Sequence, residues 1–144
     1  ILNGNAEVLN ELKTYVLTNN LSKNVLMTDY LSRAEIRSLY KKALIYVFPS
    51  VEEGFGIPIL ESFAMKTPVV TSNAGAMVEV AGGAAEHFNA GDYIELFKTL
   101  TKLITSKPKR TYLIEKGSER LKAFSREKFI NDYEYFILKS VKIK

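Results

Sequence analysis

The stretch that decides the fold runs from residue 43 to residue 72 and reads ALIYVFPSVEEGFGIPILESFAMKTPVVTS. Two apolar runs lie near its ends, ALIYVF at 43–48 and VVT at 69–71. Strands without polar alternation are typical of a sheet that is covered on both faces, and such sheets are parallel. Between the two runs, Pro58 stands where a helix can begin, because the first helical turn does not need the N–H that proline lacks. The stretch therefore predicts a strand, a loop, a helix and a second strand.

The alternation of helices and strands continues on both sides of this stretch. Upstream, helical spacing of apolar residues predicts a helix over 6–19, and the run NVLMT predicts a short buried strand over 24–28. A second helix opens at Ser32, which forms a capping box with Glu35. Downstream we expect a short helix over 77–80 and a strand over 86–88. A helix from the N-cap Asp92 to about 106 follows, and then two helices over 110–124 and 126–141, of which the last is capped by Ser125. This order predicts an α/β fold, a Rossmann-like parallel sheet with helices on both faces.

The composition is that of an ordinary globular protein. The 144 residues can form one domain with a hydrophobic core, and no apolar run approaches the roughly 18 residues of a membrane span. The absence of cysteine excludes disulfides and thiolate metal sites. The first 13 residues lack the basic start and apolar stretch of a secretory signal. We therefore expect a cytoplasmic protein, although many exported proteins also lack cysteine.

Charge is distributed unevenly along the chain. Residues 1–106 carry nine Lys or Arg and eleven Asp or Glu, a net charge of −2, whereas residues 107–144 carry eleven and five, a net charge of +6. A basic tail of this kind can face phosphates, an anionic membrane or a nucleic acid, and a solvated helix face is the preferred interpretation. The negative charge of the first part argues against a nucleic-acid partner. Peripheral contact with the inner face of the cell membrane stays an alternative.

Glycines and acids gather where ligands of such a sheet bind, at the carboxyl ends of the strands. Gly54 and Gly56 allow a tight turn and a close approach of the backbone to a ligand. The helix that starts at Pro58 offers unpaired N–H groups and a positive dipole end to phosphate or sugar oxygens. Glu61, one turn into that helix, can accept two hydrogen bonds from a vicinal diol such as a ribose, and Glu53 can meet hydroxyls beyond the phosphate.

The segment Glu53-GFGIPIL-Glu61 resembles the signature of the large retaining GT-B glycosyltransferase family of the group 1 type, which includes glycogen synthases and mannosyltransferases. Members of that family carry two glutamates separated by seven residues in a phrase of the form EGFG-P--E. Other segments that resemble the family follow in the right order along essentially the whole chain: Asp29-Tyr30-Leu31-Ser32, Phe48-Pro49-Ser50, Thr67-Pro68-Val69-Val70-Thr71-Ser72, Glu79-Val80-Ala81-Gly82 and Phe124-Ser125-Arg126-Glu127-Lys128. The ordered set is more specific than the two-glutamate phrase alone.

The resemblance implies a role for each matching residue. Glu53 would be the catalytic residue, contacting the transferred sugar and steadying charge near its anomeric carbon. Glu61 would hold the ribose hydroxyls, the backbone N–H groups of residues 55–57 would meet sugar hydroxyls and the diphosphate, and the loop at 30–31 would line the base. The donor-binding residues are then Glu61, Gly54, Phe55, Gly56, Ile57, Tyr30 and Leu31.

The resemblance also implies reaction with retention of configuration, without a cofactor and without a metal ion. The sequence agrees with the absence of an aspartate-x-aspartate metal motif, because Asp29, Asp92 and Asp132 are isolated from one another. The donor would be a nucleoside diphosphate sugar, with a UDP-sugar favoured.

The chain departs from the family pattern at Val78, where a proline is usual, and at Gly83, where an aspartate is common. Both departures put the shape of that loop in doubt more than the activity. The adjoining Glu79 is interpreted equally well as a helix-terminus residue and as a ligand. The single histidine, His87, follows a predicted strand far from Glu53 and is interpreted as structural.

The family's phosphate-binding arginine and lysine lie on strand and helix units that precede this stretch of sequence, as does its acceptor domain. Residues 1–4 look like the end of a strand, so we expect residues 1–144 to be a partial C-terminal nucleotide-sugar-binding domain that ends in the helices at about 110–141. Such a fragment is expected to be inactive alone, with the acceptor bound by the missing N-terminal domain.

The function expected is that of a glycosyltransferase of the hexosyltransferase type, acting on a saccharide or lipid-linked acceptor in bacterial polysaccharide assembly such as O-antigen synthesis. The alternative is a non-catalytic nucleotide-sugar-binding module or one subunit of a split transferase. The sequence leaves open the sugar, the base, the acceptor with its linkage, and the oligomeric state.

Overall fold

The computed structural model describes residues 6–132. The chain forms two compact units, one that ends at Ile36 and one that begins at Arg37. The strand end predicted at residues 1–4 lies outside the described residues, as does the part of the last predicted helix from 133 to 141. Within the described range, no helix is both long and apolar enough to cross a membrane.

The first unit contains the helix α1 (Ala6–Thr18) and the start of α2 (Arg33–Lys42). α1 agrees with the helix predicted over 6–19, and its Val16 is buried. The capping box before α2 is confirmed, because the N–H and the hydroxyl of Ser32 both donate to the Glu35 carboxylate, over 2.8 and 2.6 Å. These hydrogen bonds favour the charged form of the carboxyl group and lower the pKa of Glu35 from its usual value.

The strand predicted over residues 24–28 is wrong. Residues 25–32 form neither helix nor strand, and the Leu26 side chain is 85% exposed. The Val25 N–H takes part in a local turn, donating to the Leu21 carbonyl over 2.9 Å. A short apolar run becomes a strand only when it pairs with a neighbour and buries one face, since cross-strand contacts supply most of the stability of a strand. The run NVLMT by itself carries no signal for such a partner.

The second unit is built on a three-stranded parallel sheet with the order β1, β2, β3. Its strands are β1 (Tyr46–Phe48), β2 (Val69–Ser72) and β3 (Glu86–Phe88). β2 and β3 lie where the sequence predicts strands, whereas β1 is shorter than the predicted 43–48. α2 runs to Lys42, and the pairing of Tyr46 with Val69 in the distant strand β2 starts directly after Pro68, which has no N–H to extend the ladder.

The helices of this unit are α3 (Ile57–Ala64), α4 (Ala76–Ala81), α5 (Tyr93–Thr105) and α6 (Lys107–Leu121); a 3₁₀ turn over Lys122–Phe124 and helical residues 126–132 follow. The predicted helix starts are confirmed at Pro58, which lies in the first turn of α3, and at Asp92, whose carboxylate accepts from backbone N–H groups of α5. Ser125 caps the last helical segment, accepting from the Lys128 N–H over 3.1 Å. α6 begins before the predicted residue 110, because Ser106 both ends α5 and caps α6.

Helices cover both faces of the sheet, as predicted. Val69 and Val70 are adjacent in β2, are fully buried and belong to separate apolar clusters. The cluster around Val69 includes side chains of α3 and α4, whereas the cluster around Val70 includes side chains of α5 and α6. Successive residues of a strand point to opposite faces, so this division places α3 and α4 on one face and α5 on the other. α6 contacts both clusters, through Leu113 on the Val70 side and Leu121 on the Val69 side. β2 is the buried middle strand of three.

Close packing between α3 and α6 depends on a glycine. A Cβ placed on Gly117 of α6 would lie 2.7 Å from a ring carbon of Phe63, which is buried on α3. Real Cβ atoms do not approach a ring carbon so closely, so a side chain at this position would push the two helices apart. The contact holds α6 against the helix that carries Glu61.

Candidate functional site

The loops after β1 and β2 lie at the same edge of the sheet and are tied together by hydrogen bonds. The Thr71 hydroxyl donates to the Phe48 carbonyl over 3.0 Å, and the Ser72 hydroxyl donates to the Ser50 carbonyl. A Cβ on Gly75, in the loop after β2, would lie 3.9 Å from the Glu53 carbonyl oxygen. The β2 end therefore supports the loop over residues 49–56, which we call the donor loop.

Glu53 lies in the donor loop with its side chain exposed to solvent. Its carboxylate accepts a hydrogen bond from the Ser50 hydroxyl over 3.0 Å. The same hydroxyl lies 3.1 Å from the Glu52 carbonyl oxygen, so Ser50 stabilises the turn that carries both acids. In the sequence, Ser50 stands out only as part of a segment that matches the family. A serine three residues before an acid is also a local turn signal, and that signal indicates this contact.

Glu61 lies on the exposed side of α3, and the opposite side of that helix is buried through Ile59, Ser62 and Phe63. Its Oε2 lies 3.5 Å from the hydroxyl of Tyr40, a buried residue of α2. The contact orients one carboxylate oxygen.

Two tyrosines accompany the acids, and no sequence pattern indicated either of them as part of the site. The rings of Tyr40 and Tyr46 meet edge to face with their centroids 4.9 Å apart. Burial raises the pKa of Tyr46, and the negative charges of Glu61 and Glu53 add to this effect. Burial likewise raises the pKa of Tyr40, with smaller contributions from Tyr46 and Glu61. Both glutamates of the two-glutamate phrase thus lie within electrostatic reach of Tyr46.

The start of α3 joins the donor loop to Glu61. Gly56 adopts the left-handed conformation with φ of 88° and provides no side-chain cap. The first N–H groups of a helix can serve as donors for an anion, although in α3 Pro58 has no N–H and the Ile59 N–H donates to the Gly56 carbonyl over 3.0 Å. A Cβ placed on Gly54 would meet no atom within 4 Å. The backbone of the donor loop is therefore open to approach at Gly54, and Phe55 and Ile57 flank this opening with partly exposed side chains.

Tyr30 and Leu31 belong to the first unit, directly before α2. The Tyr30 side chain is 85% exposed. Their predicted contact with a base stays a prediction.

Other candidate residues have structural partners. The backbone carbonyl of Glu79, in α4, accepts from Arg120 Nη2 over 2.6 Å. This contact does not involve the Glu79 carboxylate, so its role as a helix-terminus residue or as a ligand stays a prediction. His87 Nδ1 lies 3.4 Å from the Ser72 carbonyl oxygen, across the β2–β3 pair. Among residues 6–132, no group of three or more His, Asp or Glu side chains is arranged to hold a metal ion.

Comparison with known proteins places this chain in a family. The family model described as "Glycosyl transferases group 1" matches residues 1–120. The chain is 35% identical to the O-antigen chain mannosyltransferase RfbU of Salmonella typhimurium over 92 aligned residues. These residues make up 64% of this chain and 26% of that protein. It is 31% identical over 132 residues to the uncharacterized glycosyltransferase MJ1178 of Methanocaldococcus jannaschii, covering 88% of this chain and 36% of that protein. The chain thus spans between a quarter and about a third of the length of these relatives.

Solved structures show the same fold. Sucrose-phosphate synthase from Thermosynechococcus elongatus superposes with a TM-score of 0.78 at 20% identity, covering 94% of this chain and 35% of that one. The C-terminal domain of the glycosyl transferase group 1 family protein LpcC from Francisella tularensis superposes with a TM-score of 0.72 at 26% identity, covering 81% of this chain and 62% of that one. The family match and the parallel sheet with its two-glutamate edge agree, and the chain belongs to the group 1 glycosyltransferases, with the fold of the C-terminal domain of GT-B enzymes.

Proposed function

We propose that this chain forms the donor-binding part of a retaining glycosyltransferase that uses a nucleoside diphosphate sugar. The observation that carries the proposal is the joint position of Glu53 and Glu61, both within electrostatic reach of Tyr46 and both beside the uncapped start of α3. A helix start attracts the diphosphate, and a carboxylate one turn further accepts from the two ribose hydroxyls. Glu53, at the rim, contacts the sugar that is transferred.

In the proposed reaction the bond between the anomeric carbon and the diphosphate oxygen breaks, and the nucleoside diphosphate leaves with the electron pair. The acceptor oxygen bonds to the anomeric carbon on the same face, and its proton passes to the departing phosphate oxygen. The helix start stabilises the charge that develops on the diphosphate, and Glu53 stabilises the positive charge near the anomeric carbon.

The finer features of the function rest on the relatives and on the sequence. The relatives include the O-antigen chain mannosyltransferase RfbU and an MMP alpha-(1->4)-mannosyltransferase of Mycolicibacterium hassiacum, 36% identical over 93 residues, 62% of this chain and 23% of that protein. They support transfer of a hexose to a saccharide or lipid-linked acceptor in polysaccharide assembly. We propose a UDP-sugar as donor and a reaction that needs no metal ion, because the aspartates are isolated in sequence. The proposed site of action is the cytoplasm, with peripheral membrane contact as the alternative.

The test is donor binding and turnover by the purified complete protein. Calorimetric titration with UDP, GDP and ADP identifies the base. Slow hydrolysis of the matching nucleotide sugar, followed by NMR, shows whether the anomeric configuration is retained, without knowledge of the acceptor. Glu53→Gln is expected to lower this turnover by about 100-fold, as when an electrostatic stabiliser of a transition state is removed, with donor affinity changed only a few-fold.

Glu52→Gln is the matched control, because Glu52 is exposed in the same loop and its side chain has no proposed role. Equal turnover of the Glu53→Gln variant and the unsubstituted protein would contradict the role of Glu53. Binding without any turnover would support the non-catalytic binding module instead. Turnover that survives chelation by EDTA is expected, and its loss would contradict metal independence.

A further inference from the structure

Three side chains outside the two-glutamate phrase connect the end of α6 to the donor loop. The first, Arg120, lies at the end of α6 and reaches α4. Its Nη2 donates to the Glu79 carbonyl over 2.6 Å and its Nε donates to the Val80 carbonyl over 3.1 Å. The last carbonyl groups of a helix have no intrahelical partner, so a guanidinium that binds two of them fixes its own position on α4.

The second side chain, Phe124, is held by Arg120. The guanidinium carbon of Arg120 lies 4.9 Å from the centre of the Phe124 ring, within the range of a cation–π contact. Phe124 is half-buried and also packs against the apolar cluster that contains Ile59 and Phe63 of α3. Its ring is therefore fixed from two sides, by Arg120 at the end of α6 and by this apolar cluster.

The third side chain, Phe55, belongs to the donor loop. Its ring meets the Phe124 ring edge to face at 5.7 Å, with an interplanar angle of 87°. The residues before it, 51–54, are exposed, and Gly54 adds no side chain that could pack. Glycine leaves the backbone many accessible conformations, so the loop needs an anchor to keep one of them. The Phe55–Phe124 contact is such an anchor.

We propose that Arg120 and Phe124 are positioning residues that fix the donor loop through Phe55. They hold the backbone N–H groups of residues 55–57 in the direction that the diphosphate requires. The part that concerns donor affinity rests on the proposed function above. The anchoring of the loop does not, and it can be measured without any ligand.

Proteolysis measures the anchoring directly. A glutamate-specific protease cleaves after Glu52 and Glu53, and cleavage in a folded protein follows the population of open loop conformations. Phe124→Ala is expected to speed cleavage at these two sites roughly tenfold, the effect of releasing about one ordered backbone residue. Phe124→Tyr keeps the ring and is expected to cleave at the rate of the unsubstituted protein.

The matched controls remove an exposed ring or an exposed guanidinium elsewhere. Phe97→Ala, on α5 and 69% exposed, and Arg126→Gln are expected to leave cleavage of the donor loop unchanged. Arg120→Gln is expected to speed cleavage, because Phe124 loses the cation that holds it. Thermal unfolding of each variant separates loop opening from global destabilisation. If Phe124→Ala does not fold, Phe55→Ala gives the same test, since it removes an exposed ring from the loop.

Donor affinity gives the second measurement, on the complete protein with UDP, GDP and ADP. Phe124→Ala and Arg120→Gln are expected to raise the Kd for the nucleoside diphosphate that binds by roughly fivefold to tenfold, whereas Arg126→Gln leaves it unchanged. Loop cleavage that does not change in Phe124→Ala overturns the proposal. Faster cleavage with an unchanged Kd overturns its donor part. If the unsubstituted protein binds none of the three nucleotides, the proposed function fails, while the cleavage rates still decide the anchoring.

Discussion

Replacing Glu61 by glutamine tests the central assignment of the site, the hydrogen bonds between a carboxylate and the ribose. Glu61 is exposed on α3, and one of its oxygens lies 3.5 Å from the Tyr40 hydroxyl. A hydrogen bond to a charged acceptor contributes about 1.5–3 kcal/mol, against about 0.5–1.5 kcal/mol for a neutral pair. With two ribose hydroxyls bound, Glu61→Gln should cost about 2 kcal/mol of binding free energy, which corresponds to a roughly 30-fold higher Kd.

The assay is calorimetric titration of the complete protein with the nucleoside diphosphate that it binds and with the 2′-deoxy form of the same nucleotide. The unsubstituted protein should prefer the ribose form by roughly tenfold, because the deoxy form loses one charged hydrogen bond. In Glu61→Gln this preference should fall to about twofold. The control is Glu115→Gln on α6, an exposed glutamate that undergoes the same change of charge.

A Glu61→Gln variant with a Kd within threefold of the unsubstituted protein and with the same preference for ribose would refute the assignment. Misfolding can be separated from this outcome. Ile59 and Phe63 bury the opposite side of α3 and are not changed, so the thermal midpoint should move by no more than about 2 °C.

Two further predictions concern the framework of the site. Gly117→Ala gains about 1 kcal/mol of helix propensity, but its Cβ would lie 2.7 Å from the Phe63 ring, and overpacking costs about 1–3 kcal/mol. Urea denaturation should therefore show that the free energy of unfolding falls by about 1 kcal/mol. A stabilised variant would contradict the close approach of α3 and α6. Burial raises the pKa values of Tyr40 and Tyr46 in the folded chain. Above about pH 10 the unfolded chain therefore releases protons that the folded chain keeps, and the free energy of unfolding should fall as the pH rises further. Urea denaturation between about pH 8 and pH 11 should show this fall in the unsubstituted protein and a smaller one in the double variant Tyr40→Phe/Tyr46→Phe, and an equal fall in both would contradict it.

Much of the site could be predicted from the sequence because its signals are local. The seven-residue spacing of Glu53 and Glu61 places one acid in a loop and the other one turn into a helix, and Pro58 marks the start of that helix. The capping box at Ser32 and the cap at Asp92 depend on residues two or three positions away. Interactions at such short range form in almost any tertiary context, so the sequence predicts them well.

The errors arose where a distant partner decides the outcome. The run at 24–28 has the composition of a strand but lies in an irregular segment, and β1 is shorter than the apolar run that contains it. A strand needs a paired neighbour, and neither the presence nor the register of that neighbour can be read from a run of five or six residues.

The sequence by itself therefore determined the family, the order of most helices and strands, and the two acids that belong at the sheet edge. Only the tertiary structure decided what surrounds those acids. Tyr40 reaches Glu61 across 21 positions of the chain, and Arg120 reaches the Glu79 carbonyl across 41. Such contacts depend on how helices pack against the sheet. Packing follows the shape and burial of whole helix faces, which a single residue and its neighbours in sequence do not encode.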